Sequence, residues 1–218
     1  MRILITGATG LVGQGVLREC LHDPDVSHVV SLGRRSSGQT HPKLEELVVR
    51  DFAALNAIED RLHPFDACLY CAGAQVPGAR EGAYRHVTLF LTLHVARTVG
   101  QLNPGMTFIY ISGAGADPES RIMPMRVKGE TESALAALPF RTVMLRPGII
   151  QPGDGVRSPH AALAVAYTLA GPLMGLGVRM LPRLMTTTDR VGRAMLQLLR
   201  QDNPPAVVEN AEINRLGA

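Results

Sequence analysis

The stretch Thr6-Gly7-Ala8-Thr9-Gly10-Leu11-Val12-Gly13 is the first place in this sequence where residue type and spacing specify chemistry. It follows a short apolar run, Ile3 to Thr6, and opens a segment of helical character. In such a strand–turn–helix setting Gly7 allows the tight turn, Gly10 lets the main chain approach a pyrophosphate, and Gly13 lets helix and strand pack closely. The helix that starts there offers unpaired N–H groups and a positive dipole end to phosphate. Gly7, Thr9, Gly10, Leu11, Val12 and Gly13 are therefore candidate contacts of a dinucleotide. Farther along, Ser31-Leu32-Gly33-Arg34-Arg35 closes a second apolar run, where an acidic side chain would select the ribose hydroxyls of NAD. An arginine can instead fork onto a 2′-phosphate. Arg34, with Arg35 beside it, thus points to NADP(H) ahead of NAD(H).

Other reactive residue types are less organised. Cys68 and Cys71 are spaced C-x-x-C, but they lie in the apolar run from Ala67 to Ala74, so they read as core thiols rather than a metal or redox pair. With Cys20 they make three scattered cysteines, which suits a reducing compartment and sets cytoplasm as the expected location. The chain also enters a strand directly at Met1 to Thr6, without a leader pattern. His22, His28, His41, His63, His86, His94 and His160 show no H-x-x-H or H-E-x-x-H spacing, and no metal site is expected. Of these, His86 and His94 fall near a long helix that could border a pocket.

The elements that must position these residues alternate. Strands are predicted at Ile3–Thr6, Val29–Leu32, Leu47–Arg50, Asp66–Cys71, Thr107–Ile111 and Thr142–Leu145, and helices at Gly10–Leu21, Tyr84–Leu102, Val127–Leu138 and Asp189–Arg200. This order demands an α/β fold: a doubly wound, parallel Rossmann sheet with helices on both faces and ligands beyond the carboxyl ends of the strands. Thr186, Thr187 and Thr188 supply hydroxyls to cap the last helix. Beyond Pro204 the pattern is silent.

With 218 residues, 46% hydrophobic and 19% charged, the chain is read as one domain, with 147–188 as a small C-terminal helical lobe for substrate or partner. The apolar segment 161–181 is long enough to raise a membrane contact or a homodimer contact, but Gly171, Pro172, Gly175 and Gly177 interrupt it, and docking as part of the lobe is favoured. The net charge of +3 comes almost wholly from arginine. No basic run interleaved with aromatics points to nucleic acid.

The sequence resembles the short-chain dehydrogenase/reductase superfamily, in its atypical or extended branch of NAD(P)-binding epimerase/dehydratase-like proteins. The resemblance is carried by Thr6 to Gly13, Arg34, Asp51-Phe52, Cys71-Ala72-Gly73, Ser112, Val127-Lys128-Gly129-Glu130 and Arg146-Pro147-Gly148. It implies that Asp51 and Phe52 flank the adenine, that Cys71, Ala72 and Gly73 lie along the cofactor, and that Pro147, Gly148 and Ile150 lie near the nicotinamide. More narrowly, Arg126 to Glu132 with Arg146 to Pro152 is similar to a bacterial group related to the human tumour-suppressor-like oxidoreductase of this branch.

The same resemblance implies a catalytic logic: a serine (Ser112) hydrogen-bonds the reacting oxygen, a lysine (Lys128) holds the nicotinamide ribose, and a tyrosine one helical turn before the lysine moves the proton. Here that residue is Pro124, which has no ionisable group and suits the first turn of a helix, so the lysine-bearing helix is expected to start near it. Tyr84, Tyr110 and Tyr167 are the substitutes to weigh, with Tyr110 expected to be core. Two functions follow from this mixture. One is an NADP(H)-dependent oxidoreductase or epimerase-like protein acting on a small organic molecule. The other is a non-catalytic NADP(H)-binding protein that senses redox state or stabilises a complex.

Overall fold

The structure, a computed structural model, describes residues 1–74, 78–153, 156, 181 and 183–218. Seven strands form one sheet in which every neighbouring pair is parallel: β1 (Arg2–Thr6), β2 (His28–Gly33), β3 (Leu44–Val48), β4 (Ala67–Tyr70), β5 (Thr107–Ile111), β6 (Arg141–Arg146) and β9 (Val207–Glu209). Their order is β3-β2-β1-β4-β5-β6-β9. The chain therefore winds outward from β1 and then restarts on its other side at β4, which makes the β1/β4 boundary the switch point where a crevice opens.

Side chains of a strand alternate between faces, and here both faces are covered, so the strands read as continuous apolar runs. Ile3 and Ile5 pack with Val16, Leu17 and Met195, from α1 (Leu11–His22) and α5 (Thr188–Leu199). Leu4 packs on the other face with Tyr70, Phe108, Val95 and Val99, the last two from α3 (Thr92–Leu102). The same face carries α4 (Met123–Ala136). Ahead of α3 the chain forms α2 (Glu81–Arg85) and a π-helical stretch, His86–Leu91, so the long helix expected from Tyr84 to Leu102 is real but changes pitch.

The expected third strand shifts, and other elements come into view. β3 is Leu44–Val48 rather than 47–50: it is an edge strand that carries Glu45 and Glu46, and these carboxylates, paired with Arg61 and Ser37, mask it in an apolar pattern. Phe52–Arg61 is a kinked 3₁₀ segment. Helix α4 begins at Met123, as the proline's preference for a first turn predicts, with Pro124 where a missing N–H costs no hydrogen bond. The tail is structured as β9 and α6 (Asn210–Leu216). The lobe is described only at its margins, β7 (Ile149–Gln151) and β8 (Met185–Thr187), which pair in parallel as a separate sheet rather than as helix. Tyr167 and nearly all of 161–181 lie outside the described residues, and no helix among the described ones is long and apolar enough to cross a membrane.

Candidate functional site

At the carboxyl end of β1 the glycines are dictated by space. Gly7 has φ +73°, and a Cβ on it would stand 2.5 Å from the Ala72 nitrogen; a Cβ on Gly13 would stand 2.0 Å from the Gly7 carbonyl oxygen. Neither contact is survivable, so helix α1 and the ends of β1 and β4 approach backbone to backbone. Gly10 differs: its nearest neighbour would be the Gly7 oxygen at 3.3 Å, so the protein itself barely needs a glycine there, and its effect is to leave the front of the turn open. Gly10 caps α1 without a side-chain hydrogen bond, and no acidic residue sits in the first turn. The start of the helix therefore presents bare N–H groups and an uncompensated dipole, the arrangement that takes phosphate.

Gly7, Thr9 and Gly10 open onto a cleft whose other walls are Gly33, Arg34 and Arg35 from the end of β2 and Cys71, Ala72 and Gly73 from the end of β4. Phe52 closes it. A second hollow shares Arg34, Phe52, Ala72 and Gly73 and adds Arg50, Asp51 and His86. The three arginines Arg34, Arg35 and Arg50 are exposed and have no ion-pair partner among the described residues. Nothing in the local sequence marks Arg50 beyond its place beside Asp51. The Asp51 carboxylate accepts from the Ala53 N–H at 2.9 Å, capping the 3₁₀ segment that carries Phe52. Leu11, Val12 and Gly13 do not line this cleft with side chains. What they can offer is backbone N–H.

Beyond β5 and β6 lies a second cavity of about 470 Å³, within the range of roughly 300–1,000 Å³ usual for small-molecule sites. Gly113, Lys128, Tyr84, Pro124, Pro147, Gly148 and Ile149 line it. Ile149, not the expected Ile150, is the residue on its wall. Lys128 donates to the carbonyl oxygens of Ser112 at 2.6 Å and Ile111 at 3.2 Å and sits 5.5 Å from the centre of the Tyr110 ring. Loss of hydration pulls its pKa down from 10.5 to about 8, against a smaller opposing pull from Glu132. The Ser112 hydroxyl is buried and has no partner among the described residues. Tyr110 is core, as expected, and burial holds its hydroxyl well above the ordinary tyrosine range. Burial raises the Tyr84 pKa as well.

The wall of this cavity is held from behind. Arg146 meets Glu132 through two contacts, 3.0 and 2.6 Å, and Glu209 at 3.0 Å, tying β6 to α4 and β9. The Gly148 N–H donates to the Asn210 carboxamide at 2.8 Å, while Asn210 and Asn214 both donate to the Met185 carbonyl, at 2.9 and 2.7 Å. These asparagines are one turn apart on α6 and buried. Of the remaining candidates, His94 is away from both clefts and Cys68 is buried in the core, its thiol pushed up by desolvation. Cys71, on the cleft wall, is shifted the same way. Among the described residues no group of His, Cys, Asp or Glu is arranged to hold a metal ion.

Comparisons with known proteins place this geometry. The chain is 29% identical over 200 residues to protein fmp52, mitochondrial, of Emericella nidulans, covering 88% of this chain and 84% of that protein. It is 30% identical to the protein of the same name from Aspergillus fumigatus, covering 78% of this chain and 75% of the relative. The expectation of a cytoplasmic protein is corrected by these relatives, which are named as mitochondrial; buried thiols report a reducing setting and do not distinguish one such compartment from another. Among solved structures, UDP-glucuronic acid 4-epimerase from Bacillus cereus in complex with NAD superposes with TM-score 0.70 at 15% identity, over 95% of this chain and 77% of that one, which shows the shared fold. The model of the NAD dependent epimerase/dehydratase family matches residues 3–138, from the first strand through the end of the lysine-bearing helix, and the chain belongs to that family.

Proposed function

We propose that this protein is an NADP(H)-dependent oxidoreductase that acts on a small organic molecule in the cavity beyond β5 and β6, with 1–218 working as one domain and 147–188 as its substrate lobe. The observation that carries the reading is Lys128 on the wall of that cavity, bonded to the Ser112 carbonyl, with the Ser112 hydroxyl buried and without a partner among the described residues. A buried hydroxyl without a partner costs about 1–3 kcal/mol, and Ser112 directly precedes Gly113 of the cavity wall, where a ligand oxygen that reached it would relieve that cost. The cofactor also fits the residues present: the bare start of α1 and Gly10 take the diphosphate, Phe52 and Asp51 border the adenine, and Ala72 and Gly73 run alongside. Pro147, Gly148 and Ile149 stand at the nicotinamide end.

The cofactor, when bound, supplies the hydride. The chain's own part is to orient and to hold charge. Ser112 donates to the reacting oxygen, and Lys128 exchanges its two carbonyl partners for the ribose hydroxyls while keeping a positive charge beside the oxygen. Arg34, supported by Arg35 and Arg50, selects the 2′-phosphate. Replacing Arg34 by alanine should erase most of an NADPH preference of about tenfold, roughly 1.4 kcal/mol, and leave NADH binding nearly unchanged; equal affinities in the unaltered protein would end the NADP(H) assignment. Pro124 favours the second reading, a non-catalytic NADP(H)-binding protein, because no proton donor stands one turn before Lys128. Turnover with any acceptor decides between the two.

A further inference from the structure

The described walls of the cavity that holds Lys128 are almost free of groups that pair with hydroxyls. Ala114, Ala116, Pro124, Met125 and Leu184 supply apolar surface, and the polar side chains are those of Tyr84, Lys128 and Arg183 alone. Among the described residues no carboxylate, carboxamide, serine or threonine is on the cavity wall, and Ser112, set behind Gly113, is a single hydroxyl that a bound oxygen could meet. Against these described walls a sugar ring would leave several hydroxyls unpaired, each at the cost of desolvation. A flat apolar molecule would lose nothing. The second observation is Pro124 at the position where a proton donor would stand. An acceptor that turns aromatic on reduction leaves a weakly basic, phenolate-like oxygen, so it needs little acid assistance, whereas a simple ketone leaves a strongly basic alkoxide.

We infer that the acceptor is an apolar quinone, reduced by two electrons against the Lys128 ammonium. This rests on the oxidoreductase reading above and names the substrate of the same cavity. In the step, the C–H bond of the reduced nicotinamide breaks and its hydrogen, with both electrons, bonds to the quinone. The displaced π pair comes to rest on oxygen beside Lys128. One proton, from the ammonium or from water, completes the hydroquinone, and the lysine regains its proton from solvent. Reduced nicotinamide, one proton and quinone become oxidised nicotinamide and hydroquinone.

The test uses the full chain with menadione as probe. NADPH affinity is measured first, by fluorescence titration. Menadione binding to the NADP⁺-loaded protein is then measured by equilibrium dialysis, and oxidation of NADPH is followed with menadione, with UDP-glucuronate and with a simple aliphatic ketone. The expected result is saturable menadione binding, turnover with menadione at least tenfold above the other two, and an affinity for menadione lowered about tenfold by Met125→Gln or Leu184→Gln, with NADPH affinity held within twofold. If NADPH fails to bind, the oxidoreductase reading falls and takes this inference with it. If NADPH binds but menadione neither binds nor is reduced, or binds equally well to both variants, the inference alone is overturned. Binding of UDP-glucuronate in place of menadione would also overturn it.

Discussion

Lys128→Met should stabilise the nucleotide-free protein while weakening its hold on NADP(H). A lysine pKa lowered from 10.5 to about 8 means the folded chain carries this charge at a cost, with a ceiling of roughly 3 kcal/mol at about 1.4 kcal/mol for each tenfold change in proton affinity. Methionine keeps the stem's packing and removes the charge, but it strands the Ile111 and Ser112 carbonyls that the ammonium now satisfies, at about 1 kcal/mol each. The net is a gain of about 1 kcal/mol, or roughly 2–4 °C in Tm for a chain of this size. The sign with pH follows from proton counting. Between about pH 8 and the ordinary lysine value the unfolded chain binds a proton that the folded chain has released, so the natural protein gains stability as pH rises through that window. The advantage of the methionine variant is therefore full at pH 7, gone by about pH 9, and reversed to a deficit of about 2 kcal/mol near pH 10.5, where the natural lysine is neutral and the variant's two carbonyls are still stranded. Thermal melts at the first and last of these pH values, with and without NADPH, read all of this, and the thermal shift given by NADPH should be smaller in the variant. A variant that melts lower than the natural protein at pH 7, by the same margin at high pH, would refute the reasoning, because the lysine would then be a plain stabilising contact.

Three further outcomes follow from the geometry. Gly13→Ala drives a Cβ into the Gly7 carbonyl, so it should cost about 1–3 kcal/mol and abolish NADPH binding in a fluorescence titration. Glu132→Gln removes the charge from a carboxylate 8% exposed that holds Arg146 at two points; a loss of about 3 kcal/mol should lower Tm by roughly 6–12 °C, with NADPH specificity intact. Pro124→Tyr places a hydroxyl one turn before Lys128 in the cavity wall and should raise the reduction of a simple aldehyde at least tenfold, while leaving thermal stability within about 1 kcal/mol.

The parts of this fold that can be read from the sequence are those where one residue type has one physical job. Gly7 and Gly13 are forced by backbone contacts, so their spacing announces the turn. β1, β4, β5 and β6 are buried on both faces, so their runs announce the sheet. Where polar groups do structural work the signal inverts. Glu45 and Glu46 disguise an edge strand, and Asn210 and Asn214 look like surface residues although they are buried and fix the loops behind the cavity. Arg50 joins Arg34 only because β3 runs beside β2, a fact of pairing rather than of local pattern. The chemistry divides in the same way. Pro124 shows from the sequence alone that a proton donor is missing. That Tyr84 shares a cavity with Lys128 depends on the packing of α2 against α4, which no spacing encodes.

The two carboxamides of α6 also set an order of assembly. During synthesis the glycine turn, the ends of β1, β2 and β4, and the arginines around them are all in hand once the first half of the chain has emerged. The Gly148 N–H and the Met185 carbonyl have no partner until Asn210 and Asn214 arrive on the last described helix. A nascent chain can therefore shape the adenylate half of its crevice long before the nicotinamide half has a back wall. Nucleotide captured early would be held at one end only, and the reactive end of the cleft would close last.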